Sequence, residues 1–490
     1  MIIGGLDAGT TGCKLALYDE KGTLLSIYYQ EYASTHKDGE HEIHFDDIKE
    51  GVWTLLRTAA QEYPIDALGV TSFGETFALL DENDRVLAPS MLYTDPRGQE
   101  ACDRLCDRFG AEALALRTGA KPHPMYSIGK LLWMQEHRAD LFARCRRILL
   151  GEDYLVYMLT GKAQIDHSLA ARTGAFDIEK RAWITEIFAE NGIDPAMMST
   201  PVPAGTVAGG LRESVQRELG LMRNITVVNG CHDQVAAMIG SGVFDSTRVM
   251  DGTGTVECIP VVLEQKPEAA AFYEQGYSVV PYLDGRYACY ALSFTGGATL
   301  KWFRDNFAEA EHAAAGDGVY ALLDSRVSAA PSGLLVLPYF AGAATPYMDN
   351  GAKAAILGLT LETDKYAIYR ALMEGTSYEM RVNLQLLQGL TGAIGEVRAT
   401  GGGARSDVWL QIKADVLGVP ITALDCREVG AAGTAALAGV AVGAYGDLSV
   451  TGKMAPNRCT FHPREAYRSQ YDTLFETYRQ IHPAIKAIGG

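Results

Sequence analysis

One short phrase, written twice, constrains this chain more than any other feature. Asp7-Ala8-Gly9-Thr10-Thr11-Gly12 stands near the N-terminus, and Asp251-Gly252-Thr253-Gly254-Thr255 opens the second half of the 490 residues. Each copy follows one apolar stretch and leads into another, which reads as a strand, a Gly/Thr turn and a return strand. Glycine allows the backbone to aim successive N–H groups into one concavity, and threonine hydroxyls add donors. Taken singly, a Gly-Thr turn is ordinary hairpin chemistry. At matched positions in two halves, the pair points to a duplicated nucleotide-binding fold whose turns grip a polyphosphate across a cleft.

Length and charge bound the rest. A chain this long exceeds what one core sustains, so two domains are expected, 1–245 and 246–490. With 48% hydrophobic and 21% charged residues, core material is ample. The net charge of −17 argues against nucleic acid or an anionic membrane as partner. Any phosphate site must then work through local backbone donors and a bound metal. The nine cysteines are scattered, with no Cys-x-x-Cys, which fits reduced thiols in the cytoplasm. No basic region precedes the first strand, so no signal peptide is expected. The uncharged run 429–446 is rich in Ala and Gly, not Leu and Ile, and reads as a helix packed tightly on other backbone, not a membrane span.

Apolar patterning predicts an opening meander (strands through 1–6, 15–18 and 24–29), a helix over 45–62 and a strand over 67–72. Residues 77–80 and 86–93 flank Asp81-Glu82-Asn83-Asp84 and predict a further hairpin. Residues 98–200 read as mainly helical, and a strand over 225–228 gives way to a helix from Asp233. The order then repeats loosely. Hairpin strands begin at 248, Gly296-Gly297-Ala298 opens a helix, and a strand follows at 334–337. Next come a helix over 366–387, a strand over 397–400, Gly401-Gly402-Gly403, a helix to 417, a strand over 420–423, the Ala/Gly helix and a helical tail over 463–488. Strands alternating with helices give an α/β class.

Several residues carry candidate chemistry. Asp233, in Gly230-Cys231-His232-Asp233-Gln234, ends a strand and opens a helix. It is either a helix N-cap or a general base at the mouth of a cleft, where the helix terminus would keep it ionised. Gln234 would hydrogen-bond a polyol or face solvent. Gly401-Gly402-Gly403-Ala404-Arg405-Ser406 joins a strand to a helix and lets a flat ring or sugar lie on bare backbone. Its spacing matches neither a dinucleotide fingerprint nor a Walker A loop. Asp7 would hold Mg²⁺ through water, or cap its own turn. Lys14 would approach a phosphate or lie on an exposed strand. Glu75 would be costly if buried alone. Asp95 and Arg97 read as a plain surface ion pair. His41 and His44 would share a strand face but have no third partner, so no metal is assigned to them.

Together these pieces resemble the FGGY carbohydrate kinases, of the sugar kinase, heat-shock cognate and actin superfamily, over nearly the whole chain. The matching phrases are Gly5-Leu6-Asp7-Ala8-Gly9-Thr10-Thr11, Gly230-Cys231-His232-Asp233-Gln234, Gly252-Thr253-Gly254 and Gly296-Gly297-Ala298-Thr299-Leu300-Lys301-Trp302. Gly402-Gly403-Ala404-Arg405-Ser406-Asp407-Val408-Trp409 and Glu428-Val429-Gly430-Ala431-Ala432-Gly433 complete the set. The resemblance implies two ribonuclease-H-like (actin-like ATPase) domains closing on MgATP and a sugar or polyol. It implies Asp233 as catalytic base, and Gly9, Thr10, Thr11 and Lys14 as the first phosphate site. Thr253 and Gly254 would form the second, with Gly297, Gly402, Gly403 and Asp407 at the nucleotide and Asp7 at Mg²⁺. Family habit adds a homodimer.

The acceptor side departs from the family patterns. Where xylulose kinases carry Met-His, this chain has Gly74-Glu75. Glycerol kinases carry Arg-Glu-Thr, so Glu75-Thr76 is similar and Gly74 replaces the Arg. Met125 falls at the glycerol kinase substrate tyrosine, with Tyr126 one step away. Gly342-Ala343-Ala344-Thr345-Pro346 stands where Gly-Glu-Arg-Thr-Pro is usual. Loss of the Arg removes a bidentate donor and enlarges the pocket, which suits a ketopentose such as xylulose or a deoxyketohexose over glycerol. The substrate-binding expectation is Gly74, Glu75, Asp233 and Gln234. A glycerol or polyol kinase is the nearer alternative; a nucleotide-driven conformational ATPase and a silent sugar sensor are those of another class.

Overall fold

In a computed structural model, which describes residues 1–487, each Gly/Thr turn caps the first hairpin of its own sheet. The first sheet runs, edge to edge, Val207–Gly210, Thr226–His232, Ala67–Ser72, Ile3–Ala8, Gly12–Tyr18, Leu24–Glu31. Ile3–Ala8 pairs antiparallel with Gly12–Tyr18 but parallel with Ala67–Ser72, which is parallel to Thr226–His232. The second sheet is Ser278–Pro281, Tyr287–Ser293, Glu257–Leu263, Arg248–Thr253, Glu396–Thr400, Ile421–Leu424, Asn457–Phe461. Arg248–Thr253, Glu396–Thr400 and Ile421–Leu424 are its parallel strands. Two mixed sheets of like plan, each a meander continued by parallel strands, give the α/β class.

Local sequence explains the elements. Phe45–Glu62 is helical because Phe45, Ile48, Val52, Leu55, Leu56 and Ala59 bury one stripe at helical spacing, and Asp46 and Asp47 lie at the positive end of the helix dipole. The tail is the helix Glu465–Ala487; Ile488 of the expected range lies outside the described residues. The expected 77–93 hairpin forms only at its turn, where Leu80 bridges Val86 antiparallel and the Leu87 N–H bonds the Leu79 carbonyl at 2.9 Å; beyond it the two strands part. Phe77–Leu80 pairs with Arg147–Leu150, and Ser90–Met91 pairs with Glu40–Ile43. Asp95 and Arg97 are no simple surface pair. Asp95 is buried, accepts from Arg97 Nε at 2.9 Å and from the His41 N–H at 2.8 Å, and Arg97 also reaches Glu42 at 2.7 Å. His44 precedes the Phe45–Glu62 helix and shares no strand with His41.

The Ala/Gly run forms the helix Val429–Ala441, buried along most of its length. By sequence it belongs to the second half, yet it lies on the first sheet. A Cβ on Gly5 would come 1.9 Å from the Ala431 carbonyl oxygen, and one on Gly69 2.4 Å from that of Thr434. It also crosses the helix Asp233–Gly240 backbone to backbone. Cβ atoms on Gly240 and Gly433 would sit 1.9 and 2.0 Å from the carbonyl oxygens of Val429 and Ala236. Glycine is obligatory there because no side chain fits between the chains. Among the described residues no helix is long and apolar enough to cross a membrane, and all nine cysteines are free.

Candidate active site

Parallel strands deliver their C-terminal ends to one edge of a sheet, where ligands of open α/β sheets bind. In the first sheet, Asp7, the Phe73-Gly74-Glu75 turn and Asp233 leave three adjacent parallel strands at that edge. The corresponding edge of the second sheet carries the Thr253–Val256 turn and the Gly401–Gly403 loop. Gly430, at the start of the crossing helix, closes the floor, since a Cβ there would lie 3.0 Å from Asp7 Oδ2.

Asp233 is the first residue of its helix; His232 holds the cap position, and its side chain makes no capping bond. The N-cap position is thus His232 and not Asp233. The Asp233 Oδ1 is shut from solvent without a hydrogen-bond partner among the described residues and lies 3.2 Å from His232 Nε2. Burial pushes the Asp233 carboxyl up to about 7, helped by the charges of Asp7 and Glu75 and opposed by the Gln234 N–H and Arg172. The expected ionising effect of the helix terminus is thus outweighed. Burial also raises Asp7, to about 6. His232, held well below its usual range by burial and by Arg172, is a neutral ring, and its Nδ1 lies 3.3 Å from the Tyr290 hydroxyl of the second sheet.

Glu75 is buried and takes a left-handed backbone, φ 66°, that a non-glycine residue adopts only when its surroundings impose it. Ser127 Oγ donates to its carbonyl at 2.6 Å, and Arg172 Nε donates to its Oε1 at 2.6 Å, with Arg172 Nη2 on the same oxygen. Arg172 Nη1 then donates to Ser278 Oγ at 2.8 Å across to the second sheet, and the guanidinium lies 5.0 Å over the Tyr126 ring. A guanidinium thus stands beside Gly74 after all, supplied from elsewhere in the chain. The enlarged pocket inferred from the missing Arg is corrected accordingly. Gln234 is half-buried next to Asp233.

The two turns divide their labour differently from expectation. The Gly9 N–H is spent within its turn on the Gly12 carbonyl at 3.0 Å. Thr10 and Thr11 N–H groups have no protein acceptor among the described residues. In the second turn the Gly254 N–H bonds the Val256 carbonyl at 2.9 Å, whereas the Thr255 N–H is free among the described residues. Thr253 is buried and its hydroxyl points inward, donating to Asp251 Oδ1 at 2.8 Å. Gly297 gives its N–H to the Gly254 carbonyl at 2.8 Å, docking its helix on the turn. The Gly402 and Gly403 N–H groups remain unpaired among the described residues, beside a cavity of about 410 Å³ lined by Gly401, Gly402, Arg405, Arg427 and Arg458. Lys14 donates to Glu428 at 2.7 Å, a bond between the two halves, and Asp407 is exposed and paired with Arg458 at 2.7 Å.

Reading by residue type alone passed over Arg172, His232, Thr255 and Glu428. The signal for Arg172 was present, as a single charge inside the run Leu169-Ala170-Ala171-Arg172-Thr173-Gly174-Ala175-Phe176.

Two sheets of like plan, each with a donor turn at its edge, and a buried carboxyl at the edge of the first fit a phosphotransferase of the actin-like class. The FGGY carbohydrate kinase models match it, the N-terminal domain over residues 2–240 and the C-terminal domain over 252–442. The chain belongs to the FGGY family of carbohydrate kinases, and is a kinase with an alcohol group as acceptor. It is 26% identical to a xylulose kinase of Bacillus subtilis (strain 168), covering 98% of this chain and 97% of that one. It is 26% identical to a gluconokinase of Bacillus licheniformis, over 98% and 96%. A ligand-bound xylulose kinase from Lactobacillus acidophilus superposes with a TM-score of 0.90 at 25% identity, over 99% and 98%.

Proposed function

We propose that this kinase transfers the γ-phosphoryl group of ATP to a hydroxyl of a small neutral sugar, a ketopentose such as xylulose. The observation that carries the reading is the Asp233 carboxyl. It lies one position past the helix cap, its Oδ1 has no hydrogen-bond partner among the described residues, and it is poised near 7 at the edge of the first sheet. A base of that strength suffices, because phosphoryl transfer through a loose transition state depends more on positioning than on proton abstraction.

In this reading residues 1–245 bind the acceptor and carry the base, and residues 246–490 bind the nucleotide. Asp233 accepts the proton of the attacking hydroxyl, and Gln234 and the Glu75–Arg172 pair orient the other hydroxyls. The free N–H groups of Thr10, Thr11 and Thr255 hold phosphate oxygens, while those of Gly402 and Gly403 face the nucleoside. Gly9, Gly74, Thr253, Gly254 and Gly297 shape the loops. Lys14 reaches phosphate by leaving Glu428, and Asp407 meets the nucleotide only at the rim.

Asp7 fits Mg²⁺ held through water. It is a hard oxygen donor whose carboxyl is raised by burial and whose charge opposes that of Asp233, so a cation relieves both. Mg²⁺ would neutralise charge on the phosphates. Closure of the lobes over the floor helix excludes water from the transfer.

The neutral acceptor is favoured over an aldonate such as gluconate by local charge. Asp7, Glu75 and Asp233 share the edge, and the cations near them are already engaged, Arg172 by Glu75 and Ser278, Lys14 by Glu428 and Lys130 by the Pro124 carbonyl. The test is ADP release from MgATP with D- and L-xylulose, D- and L-ribulose, rhamnulose, fuculose, glycerol, erythritol and gluconate, with Asp233→Ala in parallel. Turnover on one ketose, lost in the variant, supports the reading. Acceptor-independent ADP release that survives the substitution replaces it with a conformational ATPase, and turnover confined to gluconate overturns the charge argument.

A further inference from the structure

Beneath the second turn lies a charged cluster that touches no cleft. Lys413, on the helix Asp407–Leu417, is fully buried. Its ammonium donates to Thr253 Oγ1 at 2.6 Å, to Glu257 Oε1 at 2.7 Å and to Asp251 Oδ2. All three donors of the ammonium are therefore used. Asp251 and Thr253 stand before the turn and Glu257 just after it, so one side chain ties both stems of the hairpin to a helix from far along the chain.

This arrangement engages the Thr253 hydroxyl both as donor and as acceptor. Its hydrogen goes to Asp251 and one of its two lone pairs receives Lys413, which turns the hydroxyl inward and leaves the main chain of residues 254–256 as the exposed face. The nucleotide loop rests on the same residue. A Cβ on Gly401 would lie 2.6 Å from the Thr253 carbonyl oxygen, and one on Gly403 2.6 Å from Thr253 Cγ2. The helix opened by Gly297 hangs from the neighbouring Gly254 carbonyl. Three loops therefore take their relative positions from Thr253, and Thr253 takes its own from Lys413.

We propose that Lys413 is a positioning residue for the nucleotide, acting through Thr253 to fix the 254–256 turn against the Gly401–Gly403 loop. This rests on the reading that the nucleotide lies between those two loops. A buried ammonium facing two carboxylates is a strong constraint because either carboxylate left without it is costly to bury. The constraint acts on one substrate only, since the acceptor residues Glu75, Arg172 and Asp233 lie on other elements.

The experiment compares the full-length wild type with Thr253→Val and Lys413→Met, using MgADP binding by calorimetry and the two Michaelis constants by ADP release. Thr253→Val keeps the side-chain shape and the Lys413–carboxylate pairs and removes the two bonds of the hydroxyl, to Lys413 and to Asp251. It is expected to weaken MgADP binding and raise KM for ATP about tenfold or more, as lost charge-assisted hydrogen bonds do, while KM for the sugar moves less than about twofold. Lys413→Met is expected to do the same more strongly wherever it folds. A scaffold role alone would lower the active fraction and leave both Michaelis constants in place. Thr253→Val with unchanged MgADP affinity and unchanged KM for ATP overturns the proposal, whether or not Lys413→Met folds. Failure of the underlying reading shows separately, as a wild type that binds no MgADP, and that result overturns both.

Discussion

Arg172 lies against the bare Cα of Gly74, so that a Cβ at position 74 would come 3.1 Å from Arg172 Cγ and 3.2 Å from the ring of His232. The small residue and the large one are complementary. Gly74 leaves the room that Arg172 fills, and the guanidinium then pairs with Glu75, the next residue in the chain. A cation beside Glu75 is retained although the residue that would be adjacent in sequence is absent.

That pairing makes the Glu75–Arg172 couple the first target for acceptor recognition. Arg172→Met leaves the Glu75 carboxylate buried without its partner and is expected to destabilise the protein by about 3–5 kcal/mol, read by denaturant unfolding. Adding Glu75→Gln to it is expected to restore most of that stability, because no unpaired charge remains. The double variant should still show a KM for the sugar about tenfold or more above wild type, with KM for ATP near its original value.

With Asp233 as the proposed base, its titration is expected to set the acid limb of activity. A carboxyl that ionises near 7 is an active base only above that pH, so kcat/KM for the sugar should fall about tenfold per unit below 7. Asp233→Asn should abolish that limb and lower kcat by about 10²–10⁴. A flat profile from pH 5 to 8 in the wild type would remove Asp233 from the role.

Backbone contact between the crossing helices predicts intolerance to a single methyl group. Gly240→Ala and Gly433→Ala place a Cβ 1.9 and 2.0 Å from a carbonyl oxygen, and each should cost about 3 kcal/mol or more in unfolding free energy. Gly446→Ala meets nothing within 4 Å and serves as the neutral control.

Asp153 gives a stability signature with a defined sign. It is buried, its Oδ2 accepts from Ser199 Oγ at 2.6 Å, and burial pushes the carboxyl up to about 8. The folded state therefore favours the protonated form. Its contribution is full below the unfolded pKa of about 4 and is lost as pH rises from there towards 8. Asp153→Asn, which keeps an oxygen acceptor for Ser199, should raise the thermal midpoint at pH 8 by about 3 °C or more and change it little at pH 4.

What could be read in advance follows from the range of the forces involved. The helix Phe45–Glu62 and the strand Ala67–Ser72 were legible because their patterns are local, a 3.6-residue stripe in one and a continuous apolar run in the other. The expected hairpin over 77–93 closes only at Leu80 and Val86, because the rest of Phe77–Leu80 finds its partner at Arg147–Leu150, and nothing in either segment encodes that choice. At the site, Asp7, Glu75 and Asp233 were legible as types at the ends of strands. The hydroxyl of Thr253 was not, because its direction is decided by Lys413, far along the chain. Arg172 and Lys413 each announce themselves only as a charge in an apolar neighbourhood, and the partner that explains the charge is visible only in three dimensions.

The helix that floors the cleft has a consequence for how the protein is made. A chain emerging from the ribosome completes every strand of the first sheet by His232, but the backbone of Gly5 and Gly69 stays uncovered until residues 431–434 have been synthesised. The first half is thus obliged to wait for the second. A gene divided near residue 245 would yield a leading fragment with an open glycine-lined trough, one that a separately supplied trailing fragment has to fill before either is sound.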